Sequence, residues 1–264
     1  MNIGNVTNGE GFFRQTRRFD AAILCVSQGK STPYGGKSPA IWHVDIFQTR
    51  PKGETYDMME YTRPMDIENR SMEIITELLG DRAIPPENLP VVKRVIHTTA
   101  DFDYAENLAF SPGAVEKGIA ALRAGCHIVT DTQMAKAGIN KAALGKLGGE
   151  VHCFMSDQDV AEEAKARGVT RAVVSMERAA ALDMPCVFAI GNAPTALVSL
   201  HQLMDAGKLS PALIVAVPVG FVNVVESKEL ILASPAPHIV ARGRKGGSNV
   251  AAAICNALLY QIGR

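Results

Sequence analysis

Cys186-Val187-Phe188-Ala189-Ile190 and Leu213-Ile214-Val215-Ala216-Val217 are two five-residue runs without a polar side chain. Each stops at a turn: Gly191-Asn192-Ala193-Pro194-Thr195 after the first, Pro218-Val219-Gly220 after the second. A strand that is apolar on every residue is covered on both faces, the pattern of a parallel sheet between helical layers. The 22 residues that separate the two runs include an apolar-periodic segment from about Ala193 to Asp205, which reads as a helix. Strand, helix, strand in the same direction is a crossover unit, so the fold class is α/β with an open, mainly parallel sheet and helices on both faces.

The same alternation extends in both directions. Toward the C-terminus the spacing predicts a helix over Asn223 to Leu232, a strand over His238 to Ala241 and a closing helix over Gly247 to Gln261. Toward the N-terminus, Thr170 caps a predicted helix to about Leu182, and Asp157 caps one that runs through Ala166 and stops at Gly168. Val151 to Met155 and His127-Ile128-Val129 read as strands, with a small helix capped by Asn140 between them. Ser111 as N-cap and Pro112 at the first position begin a helix whose buried face is Val115, Ile119 and Leu122. The β-branched run Val91 to Ile96 reads as a further strand. A helix from Pro64 to Gly80 precedes it. Residues 1–60 differ in character: Phe19 to Val26 and Ile41 to Phe47 flank a Gly/Pro/Ser/Lys-rich turn, which suggests a β-hairpin extension. The domain organisation expected is therefore residues 1–60 as an appendage and residues 61–264 as one α/β domain.

Composition excludes several function classes. Lys+Arg and Asp+Glu both total 27, so no global basic field draws nucleic acid or an anionic membrane. No stretch approaches the roughly 20 apolar residues of a membrane span, and the polar start Met1-Asn2-Ile3-Gly4-Asn5 lacks the order of a signal peptide. Five scattered cysteines, mostly within apolar runs, read as reduced core thiols of a cytoplasmic protein, without a disulfide frame or a zinc site.

The chemistry gathers where the strands end. His97-Thr98-Thr99-Ala100-Asp101, Thr130-Asp131-Thr132, Ser156-Asp157, Gly191 to Thr195, Pro218 to Asn223 and Arg242 to Asn249 follow the six expected strands. Ligands of open α/β sheets bind outside the carboxyl ends of the strands, so these fragments should share one cleft. His97 is the side chain there that exchanges a proton near neutral pH. The competing reading is a histidine that ties a loop to the sheet. Gly243 to Asn249 places glycines and Lys245 just before a helix, a setting in which backbone N–H groups receive an anion. An ordinary strand-to-helix turn explains the same residues taken singly. Arg171 and Arg63 each lie in or beside the first turn of a helix, against the dipole preference of a cation, which hints at ligand duty.

Nucleotide signatures fail: Gly29-Lys30-Ser31 and Gly36-Lys37-Ser38 lack the earlier glycine of a P-loop, and no Gly-x-Gly-x-x-Gly follows a first strand. Asp101-Phe102-Asp103 and Asp157-Gln158-Asp159 have no histidine at ligand spacing. His43, His127, His152, His201 and His238 read as scattered, satisfied or solvent-facing, so no metal site is expected.

Taken in order, Arg63-Pro64 with Ile67-Glu68 and Ser71, Arg94 to Phe102, Thr130 to Met134, Thr170-Arg171, Gly191 to Leu197, Pro218 to Asn223, Glu226 to Glu229 and Gly243 to Ser248 resemble the precorrin-8X methylmutase family of cobalamin biosynthesis, with its cobalt-precorrin-8 branch. The resemblance covers residues 60–262 and leaves the first 58 unexplained. It implies an isomerase that moves the C-11 methyl of a corrinoid precursor to C-12, a homodimer with sites near the subunit contact, and no separate cofactor. It also implies that His97 is the catalytic histidine and that Ser71, Arg94 and Arg171 touch substrate. Arg63, Thr98, Thr130, Asn192, Lys245 and Gly246 complete the expected binding set. On this reading the arginines, Lys245 and the Gly246-Gly247 entrance hold the peripheral carboxylates. Met134, Phe221 and Val222 wall the ring, and Asp101 with the hydroxyls of Thr98 and Thr99 sets the His97 tautomer. A corrinoid carrier without chemistry is the alternative from another class; a lysine-dependent lyase or aldolase is a third, less suited to Lys245 in its glycine loop.

Overall fold

The computed structural model describes residues 63–182 and 184–263, and the expected N-terminal hairpin lies outside them. Six strands form one sheet in the order β1-β6-β5-β4-β2-β3. β2 (His127–Thr130), β3 (Val151–His152), β4 (Cys186–Ile190), β5 (Leu213–Ala216) and β6 (His238–Ala241) are parallel neighbours, and β1 (Leu108–Phe110) is antiparallel on β6. The α/β expectation holds.

Eleven helices are described. α1 (Pro64–Leu79), α2 (Leu89–Thr99), α3 (Tyr104–Asn107), α4 (Ala114–Arg123), α5 (Gln133–Gly138) and α6 (Lys141–Lys146) precede β3. α7 (Gln158–Arg167), α8 (Arg171–Ala180), α9 (Pro194–Asp205), α10 (Val224–Leu232) and α11 (Ser248–Ile262) follow it. Alternate residues of the central strands enter opposite cores. Val187, Ala189, Leu213 and Val215 pack with α2, α4 and α11, whereas Phe188, Ile190, Ile214 and Ala216 pack with α8, α9 and α10.

The expected strand Val91 to Ile96 is instead the body of α2. Val91, Val92, Val95 and Ile96 are its buried residues, spaced i, i+1, i+4 and i+5, which is a helical stripe, and Pro90 sits in the first turn. Burial of that stripe against α11 outweighs the strand preference of its β-branched residues. His97 thus stands in the last turn of a helix, not at a strand end, and the sixth strand is β1. Ser111 is not a helix cap either. Its N–H donates to the His238 carbonyl at 3.0 Å and its Oγ accepts from the His238 N–H at 2.9 Å, so it extends the β1–β6 pairing. Gly113, at φ 67°, takes the N-cap position of α4. The expected strand Val151 to Met155 is reduced to Val151–His152.

Other expectations stand. Thr170 and Asn140 accept from the N–H groups of Val173 and Ala143, and Gly168 closes α7 in the left-handed region. Asp157 occupies the N-cap of α7 without a capping bond, because its carboxylate pairs with Arg178 at 3.1 Å.

Candidate active site

β2, β4, β5 and β6 point their carboxyl ends the same way, and the loops after them are laced together. Asp131 follows β2 and is buried. Its Oδ1 accepts from the Gly191 N–H at 2.9 Å, and its Oδ2 accepts from Asn192 and Ala193 at 2.7 and 2.6 Å. Burial raises the pKa of this carboxyl, and the three N–H donors oppose that shift. Gly191 belongs there because its turn presses on the start of α11. A Cβ would lie 2.7 Å from Ser248 Cα and 2.8 Å from the Gly247 oxygen.

The loop between β6 and α11 is held from several sides. Thr132 and Ser248 share a hydroxyl hydrogen bond of 2.7 Å, and the Gly247 N–H donates to the Val217 carbonyl at 2.9 Å. The Gly220 N–H donates to the Arg244 carbonyl at 3.2 Å. Gly246 has φ 156°, and a Cβ on it would collide with the Val217 carbonyl. From below, fully buried Lys228 donates from Nζ to the carbonyls of Gly243 and Lys245 at 2.8 and 2.9 Å. Burial holds its pKa down at about 8.

Lys245 joins this edge to the end of α2 through ion pairs with Asp101 at 2.6 Å and Asp103 at 2.5 Å. The Lys245 hydrogen bond holds the Asp101 carboxyl below its ordinary range, and the two carboxylates raise the Lys245 pKa. Asp101 is therefore committed to Lys245 and does not orient His97. The Thr98 hydroxyl donates to the Arg94 carbonyl and that of Thr99 to the Val95 carbonyl, at 3.0 and 2.8 Å. The expectation that these three groups set the histidine's tautomer is corrected: hydroxyls on a helix bond back to the preceding turn, and the nearest cation claims the carboxylate. The His97 side chain is exposed.

The remaining expected residues fall in four places. Asn192 and Gly246 lie in the laced loops, Asn192 exposed and Gly246 half-buried. Thr130 ends β2 but is buried, with its hydroxyl directed at the carbonyls of Thr132 and His152 at 3.1 and 3.3 Å. Arg171 is exposed in the first turn of α8 and reaches the Met155 carbonyl at 3.4 Å. Thr170 beside it shares a hydrogen bond of 3.0 Å with Thr195 of α9, which brings that turn to the same edge.

Arg94, Ser71 and Arg63 belong to the α1–α2 pair. Arg94 binds Glu68 at 2.7 Å and lies over the Tyr260 ring at 5.0 Å. Tyr260 is 12 residues beyond Ser248, about 18 Å along α11 from the glycine entrance. Ser71 donates to the Ile67 carbonyl at 2.8 Å, and Arg63 is exposed at the N-cap of α1. A concavity of about 480 Å³ lined by Glu68, Lys146, Leu147 and Tyr260 lies at this far end of α11 rather than at the strand edge.

Asp131 and Lys228 are the positioning residues that sequence reading overlooked. Asp131 had a signal, a carboxylate directly after an apolar strand. So did Lys228, which shares a helical stripe with apolar Val224 and Ile231, a place where a lysine is seldom found without a partner.

Comparison with known proteins places this arrangement. Residues 66–261 match the family model for precorrin-8X methylmutase. The cobalt-precorrin-8 methylmutase of Priestia megaterium is 45% identical over 196 residues, covering 74% of this chain and 87% of the relative. That of Salmonella typhimurium is 45% identical over 208 residues, 76% and 96% of the two chains. The precorrin-8X methylmutase of Pseudomonas aeruginosa is 39% identical over 204 residues, 76% and 98%. The crystal structure of the Thermus thermophilus precorrin-8X methylmutase superposes with a TM-score of 0.70 at 38% identity, over 75% of this chain and 96% of the other. The chain therefore belongs to the precorrin-8X methylmutase family.

Proposed function

We propose that this chain is an isomerase of cobalamin biosynthesis that moves the C-11 methyl of precorrin-8X or cobalt-precorrin-8 to C-12, giving hydrogenobyrinate or cobyrinate. The observation that carries the reading is the match of residues 66–261 to the methylmutase family together with the loops that the chain assembles at one sheet edge. The methyl group leaves one ring carbon and joins its neighbour within the same molecule, so the residues have two tasks. They hold a flat, polycarboxylate ring in one tautomer, and they move a proton.

His97 is the general acid in this scheme. Its exposed imidazole protonates a ring nitrogen or adjacent carbon as charge accumulates there, a contribution of about 10²–10⁴ in rate. The peripheral carboxylates take the cations and the helix entrance: Arg171 from α8, Lys245 and the Gly246 N–H from the loop before α11, with Asn192 as a polar contact. Lys245 already carries Asp101 and Asp103, so a substrate carboxylate has to share or displace that pair. Thr98 stands one residue from His97 at the exposed end of α2, whereas buried Thr130 acts by shaping the loop after β2.

Arg63, Ser71 and Arg94 lie on the α1–α2 pair, and Arg94 faces the far end of α11. That separation favours a homodimer in which these residues serve a site shared between copies. Residues 61–264 are the catalytic domain in this reading, residues 1–60 an added extension, and the cytoplasm the compartment. No described helix is long and apolar enough to cross a membrane.

The test is His97→Ala assayed with excess corrinoid, both metal-free and cobalt-containing. The variant should fold and bind the ring yet lose methyl migration, read as the absorbance change from substrate to product. Near-wild-type turnover would remove His97 from the reaction. Stoichiometric spectral change without turnover by the wild type would remove the isomerase reading itself.

A further inference from the structure

We propose that His127, Glu150 and His152 form a binding site for a first-row divalent cation of the zinc type, on the β2–β3 edge of the sheet. Parallel pairing sets Ile128 beside Val151 and Val129 beside His152, so His127 comes opposite Glu150. Alternation along the strands then puts His127, Glu150 and His152 on one face. One ligand atom from each lies within 4.8 Å of the others, and His127 Nδ1 is 2.9 Å from His152 Nε2. The two imidazoles are half-buried and Glu150 is exposed, so an ion has a path in.

The donor set selects the ion. Two imidazoles and a carboxylate suit zinc and its neighbours rather than calcium or magnesium, which prefer all-oxygen shells. Zinc binds nitrogen at about 2.0–2.1 Å, so two nitrogens on one tetrahedral ion stand about 3.4 Å apart. The two ring nitrogens need part by only about half an ångström from 2.9 Å, which imidazole rotation supplies. Three protein ligands leave a fourth position for water. The Phe154 ring, 6.0 Å from that of His152, packs against one ligand from outside the shell.

The alternative is a plain hydrogen bond between the two imidazoles, with Glu150 acting on His152 only through its charge. An ion would clip the two-residue strand β3 to β2. His127 lies three residues before Thr130, about 10 Å along the strand, and the Thr130 hydroxyl reaches the His152 carbonyl. The clip would therefore steady the strand whose carboxyl end carries Asp131, apart from the reaction itself.

Isothermal titration of the chelator-treated full chain with zinc chloride tests the proposal. One ion per chain should bind with micromolar or tighter affinity and raise the melting temperature. His127→Ala and His152→Ala should each weaken binding at least tenfold, and Glu150→Gln several-fold. His201→Ala, at a histidine paired with Asp205 on α9, should change nothing. Glu150 is exposed, so its variant keeps the test open if a histidine variant fails to fold. No zinc uptake by the wild type, full affinity in His152→Ala, or full affinity in Glu150→Gln would each overturn the site.

Discussion

A lysine without solvent exposure has to give its charge to hydrogen-bond acceptors or lose it, and Lys228 does some of both. Its Nζ donates to the Gly243 and Lys245 carbonyls, while burial brings its pKa from 10.5 to about 8. Between those two values the unfolded chain binds a proton that the folded chain has released. Stability therefore rises with pH across that interval, by up to about 3 kcal/mol for a shift of this size. Below pH 8 both states carry the proton and the cost of burying the charge is fully felt. Lys228→Met lacks this dependence. The difference in unfolding free energy between wild type and variant, from urea denaturation at pH 8 and pH 10, should widen in favour of the wild type. A difference that stays flat would mean that the ammonium is not penalised in the fold. Asp131 shows the same dependence on distant partners, because its acceptors serve N–H groups 60 to 62 residues away. Both residues stand in stretches whose unusual composition was visible in the sequence. Their duties were not, since a buried polar group is defined by the backbone atoms the fold brings to it.

At the level of elements, the sequence was readable at most boundaries marked by a cap or a turn residue, Ser111 being an exception. Thr170, Asn140, Gly168 and Pro64 all mark helix ends or starts as expected. It was misread at α2, where local preference and tertiary burial disagree. Six residues rich in valine and isoleucine favour a strand, but the i, i+4 stripe that meets α11 decides for a helix. The sites at this segment shifted accordingly. His97 comes from a helix terminus, and α2 ends at Ala100 with φ 53° and ψ 24°. An alanine there carries the steric cost of the left-handed region, about 1 kcal/mol, which glycine does not. Glycine's greater freedom in the unfolded chain offsets part of the gain. Ala100→Gly should therefore raise the unfolding free energy by about 0.5 kcal/mol in urea. Turnover should be retained, because the Asp101–Lys245 pair continues to hold the segment that follows. A loss of stability would mean that the end of α2 depends on the alanine methyl group.

Across the whole molecule, the strand order places β4 and β5 at the centre of the sheet and gathers the loops after β2, β4, β5 and β6 at one edge. That much followed from the apolar runs, since parallel strands linked by helices must all end on the same side. Which side chains stand free there did not. Lys245, Asp101 and Thr130 proved to be engaged with the protein itself, while the apolar residues proved exposed: Phe221 by 85%, Val222 by 76% and Met134 by 70%. Single exposed apolar residues are ordinary, but these follow β5 and β2 at the edge that also carries exposed Arg171 and Lys245, a mixture suited to a flat ring with charged margins. If the ring covers about 100 Å² of Phe221 and Val222, the transfer is worth up to about 2.5 kcal/mol at ~25 cal/mol per Å². The double substitution Phe221→Ser, Val222→Ser should raise KM for the corrinoid at least tenfold and change the unfolding free energy by less than about 0.5 kcal/mol, because neither side chain is packed in the fold. Sedimentation of the same variant separates the two duties an exposed apolar patch can have. An unchanged mass with weakened binding assigns the pair to the wall of the site. A fall to half the wild-type mass assigns it to the contact between subunits, and an unchanged KM removes it from the site altogether.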